Sequence, residues 1–278
     1  MENSEKRKRK SLPWTFFGLT FLLTWACWIP AGLLSIEQHG LLVKILHYAG
    51  GAMPTVVTLL LLYLFHGREE RRDYWRRVID LKRISMVWYV VILLIVPILT
   101  IAGIVIDLLF GGIGAEIDVL INFLRNPLSL IPFVMMMLLF GPLPEEMAWR
   151  GYALDGLQIK RNALTASLIL GAAWALWHLP LFWVQGTYQQ GLGVGTQQFW
   201  LFMLDKIPLS IIMTWIFNNN QRSTATAVIF HFMVNFVGEL VDLSLRAEMI
   251  YIASWWICAL LVSMIWKSKS FTRNKSIT

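Results

Sequence analysis

Six residues in three short stretches carry the chemistry this chain could do. "EEMAWRG" contains Glu145, Glu146 and Arg150; "WALWH" ends on His178; "HFMVN" contains His231 and Asn235. All lie in otherwise apolar sequence, where a charged side chain costs about 3 kcal/mol or more and needs a partner or a task. A carboxylate partly withdrawn from water can take a proton from water, and imidazole can assist it. Imidazole and amide N–H groups can hold a developing oxyanion, most effectively in a dry site. This set of types suits hydrolysis by an activated water.

Spacing divides the tasks. Glu146 and Arg150 are four residues apart, with the acid nearer the N-terminus, so they share a helix face and can pair. Glu145 points about 100° away from Glu146 and is available for other work. The preceding "GPLP" breaks the incoming helix and predicts a new start at about Glu145, where the positive helix end favours a carboxylate. His231 and Asn235, again four apart, converge on one volume. A hairpin turning at Arg161 and Asn162 would place Glu145 level with His178. Residue counting puts His178 and His231 at different depths, so a tilt or a broken helix must bring them together.

These residues need a membrane scaffold to position them. The chain has 278 residues, 57% hydrophobic and 15% charged, whereas soluble domains carry about 25% charged residues. Apolar windows long enough to cross a bilayer as helices recur at 13–35, 43–65, 86–110, 127–143, 163–183, 198–217, 222–243 and 247–266. The expected fold is all-α: a polytopic bundle of about eight transmembrane helices around an internal polar catalytic cavity. A basic tail (1–12) precedes the transmembrane domain (13–266), and a second basic tail (267–278) follows it. The first apolar run is long and Trp-rich, which reads as a retained span rather than a signal peptide. Cys27 and Cys258 sit in apolar spans and offer neither a disulfide framework nor a metal pattern.

The net charge of +7 is topological. Lys6 to Lys10, the arginines of 66–85 and Lys82, Lys160, Arg161, Arg222 and the C-tail would all face one side; Lys44, Arg125 and Arg246 would face the other. That bias predicts a multi-pass cell-membrane protein with both termini cytoplasmic, bathed in lipid and with no nucleic-acid partner. Residues 66–85 read either as an amphipathic helix against anionic headgroups or as a solvated loop. The glycine-rich 185–198 reads as a flexible outer loop. His47 reads as a packed residue, Asp205 and Lys206 as a mutually compensating pair, and Asp107 and Glu239 as span-end acids reaching headgroups. The Trp, Met and Phe stripes read as lipid-facing or packing surface.

The three motifs match EExxxR, an (F)xxxH pattern and HxxxN, and their order resembles the CPBP family of intramembrane proteases. That family includes type II CAAX prenyl endopeptidases, Abi proteins and bacteriocin self-immunity proteins. The match covers about 141–238, within a core at about 127–243; Trp174 stands where the family usually has Phe. The resemblance implies an intramembrane endopeptidase in which Glu145 activates water with help from His178. His231 and Asn235 would stabilise the oxyanion, and Arg150 would fix Glu146. It favours a metal-free reaction; a zinc ion, if used, would take Glu145, His178 and His231. Substrates would be peptides or proteins, lipidated or of bacteriocin type. Two other readings stand beside it: a non-catalytic immunity or scaffold protein, and a transporter using the acids as a proton relay. No inverted repeat supports the transporter.

Overall fold

A computed structural model describes residues 12–266 and 268–272. Lys6, Arg7, Lys8, Arg9 and Lys10 of the N-tail, and Lys267, Arg273 and Lys275 of the C-tail, lie outside the described residues. In lipid every backbone polar group needs an internal partner, so the apolar runs become helices. In chain order these are α1 (Pro13–Leu33), α2 (Ile36–Phe65), α3 (Arg68–Ile79), α4 (Met86–Leu109), α5 (Asp118–Arg125), α6 (Leu130–Phe140), α7 (Pro142–Ala148), α8 (Asp155–Leu157), α9 (Ala163–Trp177), α10 (Tyr188–Leu192), α11 (Gln197–Asn219), α12 (Thr224–Leu240) and α13 (Leu245–Ile265). Two short strands, β1 (Ala115–Glu116) and β2 (Asp242–Leu243), pair antiparallel.

Among the described residues, seven segments are long and apolar enough to cross a membrane; one of them, Pro127–Leu157, runs from α6 through α7 and α8. The expected span at 222–243 is the shorter α12, which at 1.5 Å per residue extends about 26 Å. It still runs from end to end. Its start adjoins Arg222, which pairs with Asp73 and Asp155, and its finish leads into β2, which pairs with β1. Among the described residues, the connecting segments expected on the inside gather at one end. Arg83 Nη1 donates to the Gln221 carbonyl (2.8 Å), and Ala163 N donates to the Lys269 carbonyl (3.0 Å).

Large aromatic side chains fill the interior, with Trp28, Trp149, Trp174, Trp177 and Trp255 among the largest fully buried ones. Trp28 shows why a glycine is needed opposite it: a Cβ on Gly50 would lie 2.2 Å from the indole nitrogen. α1 packs on α2, α9 on α11, and α13 on both α11 and α4.

Several expectations change. Residues 66–85 form α3 and a 3₁₀ turn (Leu81–Arg83), and Tyr74 and Arg77 of α3 are buried in the protein. Within 185–198 the chain forms α10, capped by Thr187, and buries Leu192 against Phe182 and Phe199. Asp107 reaches no headgroup. It is buried, accepts from Gly114 N and Ser244 Oγ (both 2.9 Å), and pairs with Arg246. The acid therefore joins α4 to the start of α13. Residues 268–272 are no plain tail: Phe271 is buried, and its carbonyl accepts from Asn219 Nδ2 (2.6 Å).

Candidate active site

The motif helix begins at a break. Gly141 adopts φ −129° and ψ −97°, and α7 starts at Pro142, three residues before the expected position. Pro142 lacks an N–H and suits a first helical turn, so the helix can begin as soon as the chain has turned. Glu145 still falls in the first turn, its N–H donating to the Gly141 carbonyl (3.2 Å). Past Ala148 the helix widens into a π-turn, Trp149–Leu154, which contains Arg150. Such turns recur at functional sites because they re-aim side chains.

The two glutamates have different surroundings. Glu146 Oε1 accepts from Arg150 Nη1 (2.8 Å) and from His231 Nδ1 (2.9 Å). Glu145 Oε2 accepts from the indole Nε1 of Trp174 (2.8 Å). Glu145 retains 9% exposure against 0% for Glu146, so of the two it is the one that water can approach. The i,i+4 pairing of Glu146 with Arg150 is present as its spacing predicts. Both residues also keep buried polar atoms without a hydrogen-bond partner among the described residues: Glu146 Oε2, Arg150 Nε and Arg150 Nη2.

Glu145 is level with Trp174 rather than with His178, which lies one turn further along. The π-turn lets the segment between Glu145 and the hairpin hold more residues per turn, so its partner on α9 comes earlier. His178 caps the end of α9, where a 3₁₀ turn (Leu179–Trp183) replaces the α-helix. Its Nδ1 lies 2.8 Å from the Trp174 carbonyl. A carbonyl only accepts, so Nδ1 carries the proton and a neutral His178 presents Nε2 as an acceptor. The same logic applies to His231, whose Nδ1 is held by a carboxylate. Asn235, half-buried, lies against the break: a Cβ on Gly141 would sit 3.7 Å from its Nδ2.

Trp174 joins these groups. Its ring lies edge-on to His231 (5.1 Å between centroids) and tilted against His178 (5.9 Å). The Arg150 guanidinium lies 4.8 Å from the ring centroid and the Lys206 ammonium 5.4 Å. Desolvated cation–π contacts of this kind are worth about 2 kcal/mol. Lys206 also sits 3.9 Å from the Phe202 ring and pairs with Asp205 (3.2 Å). The pair does compensate itself, but it does so at the wall of this site. The sequence marks Trp174 only as an aromatic; its role as donor to Glu145 depends on the approach of α9 to α7, which no local pattern encodes.

Among the described residues no three His, Cys, Asp or Glu side chains gather to hold a metal ion. Beside the turn that follows His178 lies a cavity of about 240 Å³, lined by apolar and aromatic side chains including Trp25, Trp28, Gly32, Leu33, Leu179 and Trp183.

Two comparisons bear on this site. The profile described as "Type II CAAX prenyl endopeptidase Rce1-like" matches residues 127–237, which include all three motifs. The chain is also similar to CAAX prenyl protease 2 of Methanococcus maripaludis, 30% identical over 242 residues, covering 86% of this chain and 88% of that protein.

Proposed function

Because the chain belongs to the CAAX prenyl protease family and is therefore a multi-pass intramembrane endopeptidase, we propose that Glu145 is its general base and that no metal takes part. The observation that carries this reading is the inequality of the glutamates. Glu146 is committed to Arg150 and His231, while Glu145 meets one indole and keeps an oxygen for water.

In the proposed reaction, a water between Glu145 and His178 Nε2 attacks the scissile carbonyl carbon. Its proton passes to the Glu145 carboxylate as the C–O bond forms. Asn235 Nδ2 hydrogen-bonds the resulting oxyanion, together with His231, whose ring is oriented by Glu146. Glu145 then returns the proton to the amide nitrogen, the C–N bond breaks, and an acid and an amine leave. Donors fixed beforehand in a dry cavity need no reorganisation as charge develops.

The substrate in this reading is a lipidated peptide or protein. The apolar cavity is lined by Leu179, the residue that follows His178, which supports seating a lipid chain there with its peptide directed toward the site. The bias of Lys and Arg supports placing α3 and residues 268–272 in the cytoplasm.

The test is cleavage of an internally quenched peptide carrying a farnesylated cysteine four residues from its C-terminus. A general base supplies roughly 10²–10⁴ in rate, so Glu145→Gln should lose about that factor, while chelator leaves the wild-type rate unchanged. Wild-type cleavage abolished by chelator and restored by zinc would overturn the metal-free reading. Full activity in Glu145→Gln would overturn the choice of base.

A further inference from the structure

The π-turn creates a problem of its own. Hydrogen bonds of i→i+5 spacing leave carbonyls outside the regular helical ladder, and near a bilayer those carbonyls must find donors within the protein. The donors come from α3, the arginine-rich segment whose composition suggests a surface helix. Tyr74 Oη donates to the Met147 carbonyl (3.0 Å), and Arg77 Nη2 donates to the Gly151 carbonyl (3.1 Å). Tyr74 and Arg77 are three residues apart on one face of α3, and the two carbonyls are four apart, each belonging to the residue that follows one member of the Glu146–Arg150 pair. Both side chains are almost wholly buried, at 1% and 2% exposure. Burial pushes the Tyr74 phenol well above its usual range, so it remains a donor at any working pH.

The contact is held from several directions. Arg77 is gripped by Asp73 (3.0 Å) and Asp155 (3.6 Å), and Arg222 reaches the same two aspartates from the turn before α12. A Cβ on Gly151 would lie 3.2 Å from Cε2 of Tyr74, so the ring already fills that face. α3 also packs on α12, the helix that carries His231 and Asn235. It therefore touches both helices that supply the proposed base and oxyanion donors.

We propose that α3 is the positioning element of the active site: Tyr74 and Arg77, through the carbonyls of Met147 and Gly151, set Glu145 and Glu146 in register with His231. They touch no substrate. The inference rests on the assignment of Glu145, Glu146 and His231 above. A displacement of 1 Å at a reacting group can cost about 10²-fold in rate, so a partial loss of register should cost less.

The experiment compares Tyr74→Phe and Arg77→Lys with wild type in the full-length, detergent-solubilised protein, using the farnesylated peptide. Each should lower kcat by about 10-fold with KM within about twofold, because the cavity that binds substrate is untouched. Arg76→Gln, on the exposed face of α3, should keep wild-type rates. Unchanged kcat in both variants would overturn the inference, as would an equal loss in Arg76→Gln. So would a kcat loss that disappears at temperatures well below the variants' melting points, which would signal lowered stability alone. Glu145→Gln is run in parallel: if it stays active the base assignment fails, whereas its loss beside full activity in Tyr74→Phe and Arg77→Lys sinks only the role of α3.

Discussion

Arg150→Met is the sharpest probe of how the site divides its glutamates. The substitution keeps most of the side-chain volume and removes the charge that faces Glu146 at 2.8 Å, between two residues with no exposure. Breaking a buried pair leaves an uncompensated charge and costs about 3–5 kcal/mol. Arg150 also contributes its cation–π contact with Trp174, which pushes the expected cost toward the upper part of that range. Glu146→Gln strands the opposite charge and should destabilise for the same reason. The double variant Arg150→Met/Glu146→Gln replaces the pair with two neutral groups of similar shape, and such replacements are often close to neutral. It should therefore be more stable than Arg150→Met alone, by about 2 kcal/mol or more. Equilibrium unfolding in mixed micelles of mild detergent and SDS measures all four proteins. Arg150→Met within about 1 kcal/mol of wild type, or a double variant less stable than that single one, would refute the view that Glu146 is held as half of a buried ion pair.

Two further outcomes follow from the same geometry. Asn235→Ala, which removes a donor beside the Gly141 break, should lower kcat by about 10²–10³ with little change in KM, as measured by steady-state cleavage; a KM effect alone would make Asn235 a binding residue. Leu33→Trp, which narrows the apolar cavity, should raise KM for the farnesylated peptide and leave an unmodified peptide unaffected; equal effects on both would place the lipid chain elsewhere.

The legible parts of this protein were those encoded locally. The Glu146–Arg150 pair and the shared face of His231 and Asn235 follow from a four-residue spacing that any helix preserves. The ends of the apolar runs followed bilayer thickness closely enough to place most of the bundle. What escaped depends on distant segments meeting. Trp174 reaches Glu145 across 29 positions, and Asp107 meets Arg246 across 139. The burial of Tyr74 and Arg77 hides in a segment whose average composition is that of a surface. A signal was present there, since Asp73, Tyr74 and Arg77 share one face of one helix, but only a partner with unsatisfied carbonyls gives that face a use. α7 begins three residues before Glu145 because Pro142, which lacks an N–H, is itself a favourable opening residue.

The π-turn at Trp149–Leu154 also acts as a phase shifter. Residues on its two sides are rotated relative to an uninterrupted α-helix, so Glu145 and Glu146 face α9 and α12 while Asp155 still meets Arg77 and Arg222. Wound instead as a regular α-helix, the same six residues would turn everything on one side by nearly one residue's rotation, about 100°. The carboxylates would leave their indole and imidazole partners, or Asp155 would leave its arginines. The wider winding between Ala148 and Asp155 is therefore as much a functional property as residue identity.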